Sequence, residues 1–469
     1  MTATRTPPTT IPASAPRPAG NVPARIAIGV ALVVGAVALG WIGNSLVAVA
    51  VLAGVAVVVV AAGMILSRPE LLLPVAVISL WFESVGAGPL STGRIVSGLI
   101  PLVIIARAAT STWRPPALQL RAWVPIMALT IYAWCGAFWS DHVTSGWMIG
   151  FFTLLIGLAY ALAFIVFTES PEQLTGVFRI WIWTGSAIAV LSDIAFFGLG
   201  YRGYGFTGGA NGYAATLVCG LPVIVFLARE SEGRARWLMW MNLPIFLSGI
   251  IASGSRMGLI MTACMGAYIL VTLPGLGRGR RAATIVFGFI GMGVMLFVFM
   301  LLNPERFSLV ALVSDRGSGR LDIWPAAIAA IKDHVLLGRG LGGFRVESYD
   351  LVQRSTGAQL TVLRQADDMR LGYIEAHNMY LTLMTDLGLL GAVLYLGVMA
   401  ATFKNLWDVR HTVWRNFSWA FTGVLAVILL GSAFGSNLNF KFQWLIVGVG
   451  AGCYTKKRVE RRVVPVAAD

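Results

Sequence analysis

The chain has 469 residues, of which 57% are hydrophobic and 12% are charged, and its mean hydropathy is +0.78. This balance lies far outside that of soluble globular domains and excludes an ordinary water-soluble enzyme. The formal net charge of +14 does not require a nucleic-acid partner, because the basic residues are distributed as membrane topology demands.

Residues 1–25 are rich in Pro, Thr and Ala and contain no acidic residue. Such a composition cannot bury a hydrophobic core and predicts a disordered cytoplasmic tail. The segment lacks a charged head followed by a short apolar core and a cleavage site, so a cleaved signal peptide is not expected.

Apolar runs follow from residue 26 onward, most of them about 17 to 25 residues long, which is the length that a helix needs to cross a bilayer core. A closed barrel would show alternation at a period of two, and these runs do not. We therefore predict an all-α polytopic integral membrane protein with about 12 to 14 transmembrane helices, helices 1 to 11 within residues 26–302 and helices 12 to 14 within residues 378–454. The predicted spans are 26–43, 45–66, 71–84, 94–109, 122–139, 146–168, 174–197, 212–228, 236–253, 256–273, 283–302, 378–402, 416–435 and 438–454.

Basic residues are divided unequally between the two sets of connections. If the amino terminus is cytoplasmic, one set holds most of the arginines and the C-terminal run "KKRVERR", whereas the opposite short connections hold only Arg94, Arg202 and Arg256. This imbalance is the positive-inside signature. It predicts that both termini are cytoplasmic and that residues 455–469 form a basic cytoplasmic tail.

The longest connection, residues 303–377, is predicted to be an external loop by the same alternation. It contains "GRLDIWPAAIAAIKDHVLLGRGLGGF", which predicts a short amphipathic helix ended by a glycine-rich turn. The glycine run has no preceding strand and no following Lys-Ser/Thr, so it is not expected to bind a nucleotide. The apolar residues at helical spacing are Ile323, Trp324, Ala327, Ile328 and Ile331.

Arginines on the outward side are informative because this chain otherwise avoids basic residues there. A guanidinium stays protonated under ordinary conditions and binds phosphate oxygens through two parallel hydrogen bonds, which indicates a phosphate or pyrophosphate site. The alternative is that the loop arginines pair with acidic residues of the same loop. Arg256 is the strongest candidate, because it opens a helix after a Ser-Gly-Ser turn and no acidic residue lies nearby in sequence.

Four segments occur in a characteristic order: "FTGGANGYAATL", "SGSRMG" at a helix start, the long external loop, and "AHNMYLTLMTDLGLLG". With "WSDHVTS" after the fifth span, they resemble the O-antigen ligase and O-antigen polymerase superfamily from about residue 80 to the C terminus. The resemblance implies a glycosyltransferase of the C-type class, in the bacterial inner membrane with its active site facing outward. Such enzymes transfer a glycan from an undecaprenyl-pyrophosphate-type carrier to an acceptor without a nucleotide sugar or a metal, so no cofactor is expected.

The resemblance assigns the catalytic roles to Arg256, Arg320 and His377. Two guanidiniums would stabilise the negative charge that grows on the departing pyrophosphate, and histidine has a pKa suited to a general base at neutral pH. Asp386 lies inside a predicted span, where a carboxylate is a candidate functional group but could also bond to a neighbouring helix. The predicted substrate-binding residues are Arg202, Asn211, Arg339, Glu375, Asn378, Tyr380 and Asp386.

Three functions remain open at this point. A ligase would join a finished lipid-linked glycan to a glycan, lipid or protein acceptor, and a polymerase of the same fold would extend the lipid-linked chain. A transporter or flippase of lipid-linked sugars would show charges through the membrane depth or an internal repeat of helices. The charges of this chain gather at one face, which favours chemistry at the outer surface.

Overall fold

The computed structural model describes residues 63, 68, 71–83, 85–87, 90–110, 119–207, 209–273, 278–302, 320–356, 374–435 and 441–463. The chain divides into two units, Met1–Arg68 and Pro69–Asp469, and the description below concerns the second. The predicted tail 1–25 and the predicted spans 26–43 and 45–66 lie outside the described residues, apart from Gly63. The same is true of the parts 303–319 and 357–373 of the predicted external loop.

Helices dominate the described part of the chain. One short antiparallel pair of strands, Gly86–Ala87 with Leu90–Ser91, interrupts them, with Gly86 opposite Ser91. Short turns of 3₁₀ helix extend Leu80–Phe82 and Gly136–Phe138, and a π turn covers Val143–Trp147. The α-helices are α1 (Leu72–Ser79), α2 (Thr92–Thr110), α3 (Leu120–Cys135), α4 (Met148–Phe167), α5 (Pro171–Leu199), α6 (Ala210–Glu230), α7 (Gly233–Ser253), α8 (Arg256–Thr272), α9 (Arg278–Leu302), α10 (Arg320–Asp333), α11 (Gly343–Thr356), α12 (Met379–Asp408), α13 (Arg415–Gly431) and α14 (Lys441–Val463).

Seven helical segments in the described residues are long and apolar enough to cross a membrane. Shorter apolar helices occupy Leu72–Phe82, Arg256–Thr272 and Arg415–Gly431. The predicted helical, multi-pass membrane fold is therefore confirmed, while the number of spans stays a prediction. The seven are Thr92–Ala109, Leu120–Phe138, Val143–Phe167, Pro171–Leu199, Ala210–Glu230, Gly233–Ser253 and Met379–Asp408.

Local sequence explains several helix ends. Ser170 accepts a hydrogen bond from the Gln173 backbone N–H and so caps α5. Pro171 occupies the first turn of α5, where a backbone N–H would have no partner within the helix, so its absence costs nothing. Gly200 then ends α5 in the left-handed conformation with a φ of 70°. These signals make α5 longer than its predicted span, 174–197.

Helix α6 lies at the centre of the bundle, since 89% of the residues in its apolar stretch are buried. Small residues allow the closest helix contacts elsewhere: a Cβ on Gly448 of α14 would lie 2.8 Å from the Ala161 Cα atom of α4. Close approach at such positions is a common way for membrane helices to associate. Helix α14 also runs to Val463, beyond its predicted span 438–454.

The predicted amphipathic helix of the external loop is confirmed as α10, and it packs with α11 against the start of α12. Ile323 and Ala327 are buried as their spacing predicted, whereas Ile328 is exposed. The three segments share a small hydrophobic core, against which the partly buried Tyr349, Leu351 and Leu381 pack. The buried residues of this core are Ile323, Ala326, Ala327, Ala330, Phe344, Val352, Ile374 and Ala376.

Helix α12 is broken at Gly388, whose φ of 64° and ψ of −170° are not helical. The turn between α10 and α11 fills the break: Leu389 N donates to the Val335 carbonyl at 2.8 Å, and Leu390 N donates to the Leu336 carbonyl at 3.3 Å. Backbone groups freed by the break are thus satisfied by the turn between α10 and α11, as a broken membrane helix requires. Gly338 of that turn also has a positive φ, 71°.

Candidate active site

The Arg256 side chain projects from the first residue of α8, after a tightly held turn. Ser255 caps the helix by accepting a hydrogen bond from Gly258 N at 3.1 Å, and Gly254 adopts a left-handed φ of 59°. Ser255 Oγ donates to Asn211 Oδ1 at 2.6 Å. Arg256 itself is half-buried, and the capped turn fixes the start of the helix that carries it.

Arg202 supports the same turn from the connection between α5 and α6. Its Nε donates to the Ser253 carbonyl, and its Nη2 donates to the Gly254 carbonyl at 3.3 Å. Arg202 and Asn211 were predicted to bind substrate, and the structure places both beside Arg256. They contact the turn Ser253–Ser255 directly.

His377 immediately precedes the residue that caps α12. Asn378 Oδ1 accepts hydrogen bonds from Tyr380 N at 3.0 Å and Leu381 N at 3.1 Å, so Asn378 is the helix N-cap. Among the described residues, His377 is the one non-glycine residue with a positive φ, 48°. Sparsely populated backbone conformations of this kind persist where the surroundings enforce them, and they cluster at functional sites.

The surroundings of His377 are fixed on two sides. On one side, Trp324 Nε1 of α10 donates to the Ala376 carbonyl at 3.1 Å. On the other side, Met379 N donates to the Ser432 carbonyl at 2.8 Å, at the end of α13. The histidine is thereby held between α10 and the end of α13.

Arg320 begins α10 and contacts the same turn after α13. Its Nη2 donates to the Phe434 carbonyl at 3.0 Å. Burial lowers the pKa of the His377 imidazole below its ordinary value; the Glu375 carboxylate opposes this shift, and the Arg320 guanidinium adds to it. His377 is therefore neutral at neutral pH, with a glutamate and an arginine as its charged neighbours.

The last residue of α13, Gly431, connects the surroundings of His377 and Arg320 to α8, the helix that Arg256 begins. Met261 of α8 lies against Gly431, since a Cβ on Gly431 would be 2.6 Å from the Met261 sulfur. Met261 is five residues after Arg256, or about 7.5 Å along the helix. The three predicted catalytic residues thus lie at one end of the bundle, around the segment Gly431–Phe434.

Asp386 is bonded to the glycine-rich turn of the external loop. Its buried carboxylate accepts from Gly342 N at 2.8 Å and from Phe344 N at 3.0 Å, at the start of α11. The neighbouring Thr385 carbonyl accepts from Arg339 N at 2.9 Å. Of the two roles left open by the sequence, the structure shows hydrogen bonding to a neighbouring segment, and the partner is the loop rather than another membrane helix.

Arg339 lies in a network of ion pairs in the external loop. Nη1 contacts Glu347 Oε2, and Nη2 lies 3.2 Å from Asp333 Oδ2. Glu347 in turn lies 3.1 Å from His142 Nε2. His142 belongs to the "WSDHVTS" segment, and its contact with the loop was not predicted from the sequence.

Tyr380 is half-buried near the start of α12. Its hydroxyl donates to the Leu429 carbonyl of α13 at 2.6 Å. This bond joins the two helices that meet beside His377.

A polar cavity of about 440 Å³ lies beside this group, between α2, α4, the glycine-rich turn and the segment that precedes His377. Glu375 lines it, with Thr382 and Asp386 of α12. Arg94 and Arg345 also line it, and the sequence did not single them out as site residues. The sequence did contain a signal for Arg94, because it is one of only three arginines in the short connections that are predicted to face outward.

A second cavity of about 640 Å³ lies between α2, α3 and α4, and its lining is almost wholly apolar. Trp123, Met127 and Phe152 are among its lining residues. Arg94 contributes to both cavities. An apolar space of this kind between membrane helices suits a hydrocarbon chain.

These features define a polytopic helical membrane protein with a site of arginines and one histidine at one end of its bundle. A family model described as O-Antigen ligase matches residues 241–396, about one third of the chain. This match supports an O-antigen ligase or polymerase family assignment for that region, and it confirms the resemblance drawn from the motifs there. The matched region includes Arg256, Arg320 and His377. No curated protein was found to match the chain.

Proposed function

We propose that this protein is an O-antigen ligase-like glycosyltransferase of cell-envelope polysaccharide assembly. It transfers a glycan from a polyprenyl-(pyro)phosphate carrier to an acceptor hydroxyl on the outer face of the cytoplasmic membrane. The family match indicates lipid-linked glycan ligation or polymerisation in general. The observation that carries the finer proposal is the placement of neutral His377 beside Arg320, around the same turn that α8 reaches from Arg256.

In the proposed reaction, His377 is the general base. Its neutral imidazole accepts the proton of the acceptor hydroxyl while the acceptor oxygen forms a bond to the anomeric carbon of the donor sugar. The bond between that carbon and the pyrophosphate oxygen breaks, and the electron pair leaves on the phosphate. Glu375 then faces an imidazolium, which its negative charge stabilises.

Arg256 and Arg320 stabilise the leaving pyrophosphate. Each is fixed by contacts of its own helix start, Arg256 through the capped turn and Arg320 through the Phe434 carbonyl. Pre-positioned charges of this kind need little reorganisation as negative charge develops. Guanidiniums supply this stabilisation without a metal ion.

The two adjoining cavities support an amphipathic, lipid-linked substrate. The apolar cavity between α2, α3 and α4 accommodates hydrocarbon, the polar cavity accommodates sugar or phosphate, and Arg94 lies where both meet. A positive charge at such a junction suits the phosphate that joins a lipid to a glycan.

The other predicted substrate-binding residues are proposed to position the site. Arg202 and Asn211 hold the turn before Arg256, and Asn378 and Tyr380 fix the start of α12. Arg339 and Asp386 hold the glycine-rich turn that borders the polar cavity. In this proposal the chain has 12 to 14 spans and both termini in the cytoplasm.

The decisive experiment uses the purified protein in detergent with a polyprenyl-pyrophosphate glycan as donor. We expect His377→Ala to lower the transfer rate by about 10²- to 10⁴-fold, the usual contribution of a general base. Arg256→Ala and Arg320→Ala should also lose transfer. His411→Ala and Arg234→Ala are matched controls, because both side chains are exposed at the opposite end of the bundle. Wild-type transfer by the His377 variant would contradict the proposal.

The same assay distinguishes the remaining alternatives. Detergent micelles have no second compartment, so formation of a transferred product excludes a role limited to transport. Offering a second lipid-linked glycan as the acceptor tests for polymerisation. Offering a glycan, lipid or protein that lacks the polyprenyl carrier tests for ligation.

A further inference from the structure

Another cavity, lined by charged and aromatic side chains, lies at the opposite end of the bundle from His377. It measures about 610 Å³ and is bounded by the ends of α6, α8 and α12 and by the start of α13. Its charged lining consists of Arg229, Arg410 and Arg415 against a single acid, Glu230. None of these residues is used by the proposed transfer reaction.

Arg229 and Arg415 are available to a ligand, whereas Arg410 Nη1 already donates to the Trp407 carbonyl at 2.8 Å. Arg229 and Arg415 are exposed, and none of the three arginines forms an ion pair with any residue that the structure describes. Glu230 is already engaged, since its Oε1 accepts a hydrogen bond from Asn416 Nδ2. The cavity therefore presents an excess of positive charge.

Aromatic side chains give the cavity an apolar wall. Tyr268 and Trp419 stack with ring centroids 6.0 Å apart, and Trp419 Nε1 donates to Thr272 Oγ1 at 2.9 Å. The Arg410 guanidinium lies 4.1 Å from the centroid of the Trp407 ring. These bonds and ring contacts fix the wall in place.

The apolar wall continues onto the outer surface of the bundle. Trp407 is 45% exposed and stacks on the equally exposed Phe403, which lies one turn earlier in α12. Tryptophan and tyrosine at the ends of membrane helices lie at the level of the lipid headgroups. The cavity thus opens where a phospholipid presents both its phosphate and the upper part of its chains.

We propose that this cavity binds the phosphate-bearing headgroup of an anionic phospholipid from the leaflet at that end of the bundle. Guanidiniums bind phosphate oxygens, and basic residues near a bilayer surface select anionic over neutral lipids. The exposed apolar wall beside the arginines favours a lipid over free phosphate, which has no hydrocarbon to place there.

The test measures lipid binding to the full chain in detergent by native mass spectrometry, with phosphatidylglycerol and phosphatidylcholine as probes. The wild type is expected to retain phosphatidylglycerol preferentially. The double variant Arg229→Gln with Arg415→Gln should weaken phosphatidylglycerol binding on the order of 30-fold, because this is the usual contribution of two basic residues near an anionic membrane surface. Arg410 is left intact because its contact with Trp407 belongs to the wall.

The matched control is Arg234→Gln with Arg458→Gln, which removes the same charge from exposed arginines at the same end but outside the cavity. Equal weakening by the two double variants would overturn the proposal, and so would equal retention of the two lipids by the wild type. Displacement of phosphatidylglycerol by an equal concentration of inorganic phosphate would show a free-phosphate site instead. If the double variant unfolds at a lower temperature than the wild type, Arg229→Gln alone replaces it, and unchanged binding by that variant would overturn the proposal. No donor glycan is needed, so this result is independent of the transfer assay.

Discussion

His377 combines a left-handed backbone conformation with two charged neighbours of opposite sign. Asn378 caps α12, and the backbone on either side of the histidine bonds to Trp324 and to Ser432. Three separate segments therefore hold the backbone of His377 in place. Burial and Arg320 keep the imidazole neutral, and Glu375 acts against them. A base poised in this way accepts a proton only as the acceptor hydroxyl loses one.

The pH profile of transfer tests this electrostatic arrangement. A base works when it is deprotonated, so the rate falls as the pH drops through its pKa, and burial places that fall below the ordinary pKa of histidine. Arg320→Gln removes a charge that lowers the pKa, so the acid limb of kcat/KM should move to higher pH. Glu375→Gln should move it to lower pH. If kcat/KM falls at the same pH in both variants as in the wild type, the assignment of His377 as the base is contradicted.

Asp386→Asn tests the proposed positioning role of the buried carboxylate. Its two oxygens accept from Gly342 N and Phe344 N, and an amide would present N–H to one of these donors. We expect a loss of stability of about 1–3 kcal/mol together with reduced transfer. Thermal unfolding in detergent measures the first effect. Asp141→Asn, at an exposed position, is the control, and wild-type stability of the Asp386 variant would refute the role.

At the scale of elements, the break in α12 joins that helix to the turn between α10 and α11. The turn Val335–Gly338 supplies carbonyls to Leu389 and Leu390, and Tyr132 and Trp139 donate side-chain bonds to the Leu337 carbonyl. A loop held at this many points positions the glycine-rich turn and the wall of the polar cavity. Helices α10 and α11 are therefore part of the framework of the candidate site.

Gly388→Ala should disrupt this junction. Gly388 has a φ of 64°, and a Cβ there would overlap the Leu336 carbonyl and lie 2.6 Å from Gly338 N. We expect a loss of stability of roughly 1–3 kcal/mol and faster proteolysis of the external loop. Gly397→Ala, in the same helix with no atom within 4 Å of its Cβ, should be neutral or slightly stabilising. Equal unfolding temperatures for the two variants would contradict this account of the break.

At the scale of the whole molecule, the features that were predictable are those determined locally. The predicted span 94–109 lies within α2, Thr92–Thr110, because an apolar run needs no knowledge of its neighbours to be recognised. Arg256 opens α8 as the Ser-Gly-Ser turn predicted. The contact of Asp386 with Gly342 and the ion pair of Lys441 with Glu83 at 2.6 Å were not predictable, because they join segments distant in the chain.

The orientation of the bundle is a prediction from the same local counting, and the proposed transfer at the outer face depends on it. Arginines concentrate at the end that holds Arg229, Arg410 and Arg415, so the positive-inside rule predicts that this end is cytoplasmic and that the His377 end faces outward. Lys332 and His411 are exposed at the two ends and report on each.

In spheroplasts, a membrane-impermeant maleimide should label Lys332→Cys directly and His411→Cys only after permeabilisation. The half-buried Cys135 and Cys264 are replaced by Ala to remove background, since the other two cysteines are buried. The Cys-to-Ala parent should not react. Labelling of His411→Cys in intact spheroplasts, with protection of Lys332→Cys, would place His377 on the cytoplasmic side. That result would exclude transfer at the outer face even if His377 and Arg256 proved essential in detergent.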